Sequence, residues 1–93
     1  MRLVRLTSVD QLKTGLRVRC TLNGARIPDA KWYVEKDLAF LCQNVCDGAR
    51  CKDEDRQGYR YSYAFDVAVL RRYGLCSMGL RGLRAVLKEG ETL

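Results

Sequence analysis

The alternation of apolar and polar residues along the chain predicts mainly short β-strands. From Leu16 to Leu22 apolar residues alternate with Arg17, Arg19 and Thr21, and this period of two indicates a half-buried strand with both arginines on its wet face. The run 59–67 has the clearest alternation in the chain. Its alternate positions are aromatic or apolar: Tyr59, Tyr61, Tyr63, Phe65 and Val67.

Two further strands are predicted between these runs. Asn23-Gly24 is a turn dipeptide that tolerates the positive φ angles of a tight hairpin. A strand is predicted to begin after this turn and to be interrupted at Pro28. A second strand is predicted over 32–35, around Tyr33. The run 38–43 follows, and its mixed composition suggests burial on both sides.

Helical signals are short. Ser8 and Gln11 have the spacing of a capping box, which predicts one helical turn over 9–14, closed by Gly15. The segment after residue 67 contains several glycines, each of which costs a helix about 1 kcal/mol relative to alanine. We therefore predict a turn at Gly74, a short helical or irregular piece, and a last strand over 83–87.

These elements predict a mainly β protein with a single domain over residues 1–93. Several short strands at close intervals favour a small antiparallel, SH3-like, partly open barrel. It has a short N-terminal helical turn and allows a short C-terminal helix. An OB-type barrel is the alternative, and 44–58 is expected to form a long polar loop.

Charge and composition narrow the function. The net charge is +6, and most of the 17 basic residues are arginine, whose planar fork suits phosphate and carboxylate. The chain contains no histidine, the commonest general base and metal ligand. Neither a signal peptide nor an apolar run long enough for a membrane helix is visible, so we expect a cytoplasmic protein with no membrane partner.

Two blocks of sequence carry a family resemblance. The first is Leu12-Lys13-Thr14-Gly15-Leu16-Arg17-Val18. The second combines Cys42-Gln43-Asn44, Asp47-Gly48 and Gly58-Tyr59-Arg60-Tyr61-Ser62. Together they resemble small uncharacterised proteins of bacterial phages and mobile elements, over about residues 10–65. The resemblance implies a small β-barrel of mobile-element type and assigns no functional residue.

The cysteines and carboxylates do not predict a catalytic or metal site. Cys42, Cys46, Cys51 and Cys76 could be considered as zinc ligands, but without histidine all four would be needed, and Cys76 comes from a distant segment. A Cys46–Cys51 disulfide is a second alternative, and free thiols are the default. The acidic residues of 47–55 do not have the spacing of a calcium loop. We expect no catalytic residue, no bound metal and no cofactor, and hence a binding protein that is not an enzyme.

Basic and aromatic residues interleave in the predicted strands, as they do in small barrels that bind single-stranded nucleic acid. The competing interpretation places the aromatic stripe in the core. We predict binding of nucleic acid or another phosphate-bearing anion through these residues: Arg17, Arg19, Lys31, Trp32, Arg60, Arg71 and Arg72. The alternative is a protein-binding accessory protein or an inhibitor of a host factor. Arginines gathered on one face, Arg81 and Arg84 among them, would favour nucleic acid.

Overall fold

The described residues form one open antiparallel sheet, in which the C-terminal strand lies between two N-terminal strands. The computed structural model describes residues 1–44, 59–76 and 78–93, with backbone alone at 44 and 59–62. The six strands are β1 (Arg2–Arg5), β2 (Arg17–Leu22), β3 (Ala25–Glu35), β4 (Leu38–Asn44), β5 (Tyr59–Asp66) and β6 (Leu80–Leu87). Their order in the sheet is β1-β6-β2-β3-β4-β5, so β1 and β5 are its edges.

The predicted strands are confirmed, with differences at their ends. β3 is longer than predicted, because the chain stays extended through Pro28. This proline, which has no N–H for a ladder, lies at a bulge where β3 has an extra residue. β6 begins at Leu80, before the predicted start, and β1 was not predicted at all. The polar loop predicted over 44–58 lies outside the described residues, apart from residue 44.

Both helical elements begin at a side-chain cap. Ser8 and Gln11 form the predicted capping box around a 3₁₀ turn (Val9–Gln11), which is shorter than the predicted helical turn. The helix α1 (Val67–Tyr73) begins at Val67, which was predicted to be the last residue of the strand 59–67. The Asp66 carboxylate accepts hydrogen bonds from Ala68 N at 2.8 Å and from Val69 N at 3.3 Å, and so ends β5 and starts α1.

The core lies on one face of the sheet, which we call the inner face. β2 contributes Val18 and Leu22 to it, and α1 contributes Leu70 from above the sheet. Trp32 of β3 is 1% exposed, and its ring meets the edge of Phe65 at 5.9 Å between centroids. A buried aromatic pair of this geometry contributes roughly 0.5–1.5 kcal/mol beyond its buried area.

The turn between β2 and β3 contacts the segment that leads into β6. Asn23 and Gly24 have φ angles of 51° and 84°, the positive values that the predicted tight hairpin requires. Asn23 N donates a hydrogen bond to the Gly79 carbonyl at 3.0 Å. A methyl group added at Gly79 would overlap the Asn23 side chain, whereas one added at Gly24 meets nothing within 4 Å.

This contact predicts different costs for two glycine substitutions with the same backbone strain. Gly24→Ala should cost about 1–2 kcal/mol, because its φ is positive. Gly79→Ala should cost more stability. Its φ of 85° is nearly the same as that of Gly24, so the backbone strain is similar, and the overlap with the Asn23 side chain adds to it. Urea denaturation would measure both losses in the free energy of unfolding.

Removing the Asn23 side chain is the control for this comparison. In an Asn23→Gly background, Gly79→Ala should cost no more than Gly24→Ala does in the native chain. Equal costs for the two alanine variants in the native background would contradict the steric interpretation.

Candidate functional site

The alternation predicted for β2 is present and separates core from solvent. Val18 and Cys20 are buried on the inner face, whereas Arg17, Arg19 and Thr21 are half-exposed on the opposite, outer face. Residues that pair directly across an antiparallel sheet have their side chains on the same face. The register of the neighbouring strands therefore shows which side chains accompany these arginines.

Three arginines form a row across three adjacent strands. Arg19 of β2 pairs with Arg84 of β6, and Arg84 pairs with Arg5 of β1. Neighbouring strands are about 4.8 Å apart, so the two ends of the row are separated by roughly 10 Å at the backbone. The outer face thus concentrates positive charge at its centre.

Further cations flank this row on the same face. Thr21 pairs with Arg26 of β3 on one side and with Arg81 of β6 on the other. Arg17 pairs with Lys31 of β3. We call the outer surface of these strands the arginine face, and its members are Arg5, Arg17, Arg19, Arg26, Lys31, Arg81 and Arg84.

Little negative charge compensates the arginine face. Arg17 Nη2 lies 3.5 Å from Asp29 Oδ1, with both side chains partly exposed. The other arginines of the face make no ion pair with a carboxylate of the described residues. Like charges directly opposite each other destabilise a sheet. The fold therefore tolerates an unfavourable arrangement that a bound anion would relieve.

Two bulges create a depression in this face. On β3 two residues stand opposite Arg19, and on β6 Gly82 and Leu83 stand opposite Cys20. Gly82 has a φ of 58°, which is typical of the glycine in a G1 bulge. The depression has a volume of about 280 Å³ and includes among its lining residues Arg19, Thr21, Arg26, Gly82 and Arg84.

A second depression, of about 290 Å³, extends the positive surface beyond the first residue of β2. Its lining includes Arg17 and Lys31 from the arginine face, together with Lys13 and Lys88. Glu91 is the acidic residue in the lining, and its Oε1 accepts a hydrogen bond from Lys88 N at 2.6 Å. Cations therefore continue beyond the central row.

The structure separates the remaining predicted site residues from this face. Trp32 is in the core, so it packs the protein rather than presenting a ring to solvent. Arg71 and Arg72 lie on α1, whose Leu70 packs on the inner face. Arg71 Nη1 is 2.7 Å from Asp10 Oδ1, and the Arg72 guanidinium lies 5.4 Å from the Tyr73 ring centre. Arg60 lies on β5, three strands from β2, where its backbone pairs with Gln43 of β4; its side chain is not among the described residues.

Sequence reasoning did not include Arg5 and Arg26 in the site. Arg26 could have been found, because a two-residue hairpin at Asn23-Gly24 places it directly opposite Thr21. No local signal identified Arg5, since β1 is a short strand whose neighbour, β6, comes from the other end of the chain.

The predicted aromatic stripe is interrupted. The register of β5 shifts between Tyr63, which pairs with Leu41, and Tyr61, which pairs with Cys42, so strict alternation ends there. Tyr63 is 38% exposed. On the outer face, next to the cations, Tyr33 packs against Phe40 with ring centres 6.2 Å apart.

Two of the three described cysteines are buried. Cys20 is a free thiol in the core, and Cys76 is a free thiol at the surface. Cys42 is buried, and its thiol donates to the Phe40 carbonyl at 3.8 Å. In the described part of the chain no group of three or more metal-binding side chains comes together. Cys46 and Cys51, which belong to the zinc and disulfide alternatives, lie outside it.

The buried thiol of Cys20 predicts that the free energy of unfolding decreases at alkaline pH. Burial raises the pKa of its thiol from 9.0 to about 11. The unfolded chain therefore loses this proton first, so the stabilisation is complete below pH 9 and is lost as the pH rises toward 11. Urea denaturation across this range should show a decrease of about 2–3 kcal/mol from this group.

Cys20→Val is the matched control, because it retains an apolar side chain of similar size without a titrating proton. The variant should show a smaller decrease between pH 9 and 11 than the native protein. Identical pH profiles for the two proteins would exclude the assigned role of the buried thiol.

No helix within the described ranges is long and apolar enough to cross a membrane. Comparisons of the chain with models of protein families, with curated proteins and with solved structures found no match.

Proposed function

We propose that this protein is a non-catalytic module that binds nucleic acid, or another chain of phosphate groups, through the arginine face. The observation that supports this function best is the row Arg5–Arg84–Arg19 across β1, β6 and β2. Contacts of arginine with phosphate provide affinity that is independent of sequence, because each contact releases condensed counterions.

The energetics of the row support a functional interpretation. Each directly opposed pair of like charges costs a sheet an amount on the scale of roughly 0.2–1 kcal/mol. Threonine or valine at these exposed positions would avoid this cost and would also favour the strand. A polyanion removes the penalty on binding, because its phosphates lie between the guanidinium groups.

We further propose that the fold is an SH3-like barrel and that the protein is cytoplasmic. The strand order, with β6 between β1 and β2, and the short helix before the last strand are compatible with an SH3-like, partly open barrel. The free thiols of Cys20 and Cys76 suit a reducing compartment such as the cytoplasm.

Salt dependence is the direct test of polyanion binding. Binding of single- or double-stranded oligonucleotides should weaken linearly in a plot of log affinity against log salt, with a slope of about −0.7 to −0.9 for each phosphate contact. Arg19→Gln should reduce the magnitude of the slope by about one contact, because Arg19 lies at the centre of the face. Fluorescence anisotropy with labelled DNA and RNA would measure these slopes.

Arg72→Gln is the control for this titration, because Arg72 is exposed on α1, away from the arginine face. Its slope should equal that of the native protein. Absence of nucleic-acid binding at about 50 mM salt, where non-specific contacts are strong, would contradict the proposal. That outcome would leave the alternative, a module that binds a protein partner such as a host factor.

The row also predicts that stability and binding oppose each other at Arg84. Arg84→Thr should weaken binding of nucleic acid but raise the free energy of unfolding by about 0.4–2 kcal/mol, because two like-charge contacts disappear. The gain should shrink at high salt, where the repulsion is screened. Urea denaturation at low and high salt would measure it, and a salt-independent loss of stability would contradict the electrostatic explanation.

A further inference from the structure

The depression between the two bulges has a hydroxyl among its cations. Thr21 is half-exposed on the outer face and has no side-chain hydrogen bond within the described residues. Its partners across the sheet are Arg26 and Arg81. Arg19 precedes it by two residues on the same face of β2, and Arg84 is the partner of Arg19. Arg19, Arg26 and Arg84 line the depression together with Thr21, and Arg81 is the neighbour of Thr21 on β6.

The bulge on β6 keeps this space open. Gly82 lines the depression, and a Cβ built on it would meet no atom within 4 Å. Its positive φ lets the chain bulge at this point without a side chain, so backbone as well as side chains borders the depression. A small anion can reach the Thr21 hydroxyl here.

The charge of the depression selects among anions. A phosphodiester within a chain has one negative charge and two non-bridging oxygens. A terminal phosphate monoester has a charge of about −1.5 to −2 at neutral pH and three acceptor oxygens. Three or more guanidinium groups together with one hydroxyl satisfy the second set of acceptors more completely, because arginine donates paired hydrogen bonds to phosphate.

We infer that this depression binds a terminal phosphate monoester, such as the 5′-phosphate of a nucleic-acid strand. Arg19, Arg26 and Arg84 line the site, and the Thr21 hydroxyl donates to one phosphate oxygen. The inference rests on the proposed function, because the rest of the strand lies along the arginine face. The depression gives that face a preference for the end of a strand.

The test compares one short single-stranded oligonucleotide with a 5′-phosphate and with a 5′-hydroxyl, at equal salt. The phosphorylated form should bind at least about tenfold more tightly, since hydrogen bonds to a charged group contribute more than neutral ones. Thr21→Val and Arg26→Gln should each reduce this ratio. Valine is β-branched like threonine, so the strand is retained.

Arg5→Gln is the matched control, because Arg5 belongs to the arginine face but does not line the depression. This variant should bind both oligonucleotides more weakly and leave their ratio unchanged. Equal binding of the two oligonucleotides would overturn the inference and leave the proposed function intact. Binding of neither at about 50 mM salt would overturn the proposed function itself. A ratio unaffected by Thr21→Val and Arg26→Gln would also overturn the assignment.

The pH provides a second readout of the ligand's charge. The second pKa of a phosphate monoester is about 6, so the preference should shrink as the pH falls from about 7.5 to about 5. The charged side chains that line the depression are Arg19 on β2, Arg26 on β3 and Arg84 on β6. Further charged residues of the surrounding strands, outside its lining, are Arg5 on β1, Asp29 on β3 and Arg81 on β6. Arginine remains protonated throughout this range. A preference that does not change with pH would contradict a dianionic ligand.

Discussion

The antiparallel pairing of β2 with β6 is the interaction on which the rest of the structure depends. It joins the N-terminal hairpin to the last strand of the chain and aligns Val18 with Ala85, both fully buried in the core. The same ladder aligns Arg19 with Arg84 on the outer face. Because side chains alternate along a strand, one register determines both the packing of the core and the placement of the cations.

This coupling gives the sheet opposite properties on its two faces. The inner face is apolar and is joined in the core by Leu70 of α1, so its burial stabilises the fold. The outer face concentrates arginines at positions where like charges are opposed, at a cost to stability. Natural proteins retain such local costs at functional sites, where a ligand supplies the missing contacts. The proposed role of the arginine face follows from this contrast.

The two bulges connect local backbone geometry with the shape of the outer face. Each adds one residue beside β2, on β3 at Pro28 and on β6 at Gly82, and both residues suit a break in a ladder. A regular sheet would close the outer surface with side chains at these points. The bulges leave a depression lined by Thr21 instead, and the proposed preference for a terminal phosphate depends on it.

The sequence by itself determined the local features of this protein. The alternation in β2, the capping box at Ser8 and the hairpin at Asn23-Gly24 depend on neighbouring residues, so they were predictable. The tertiary structure decided which strands became neighbours: it brought Arg5 and Arg84 beside Arg19, and it placed Trp32 in the core. It also placed Arg71 on α1, away from the face. Long-range pairing depends on how the whole core closes, and no local pattern of residues encodes that closure.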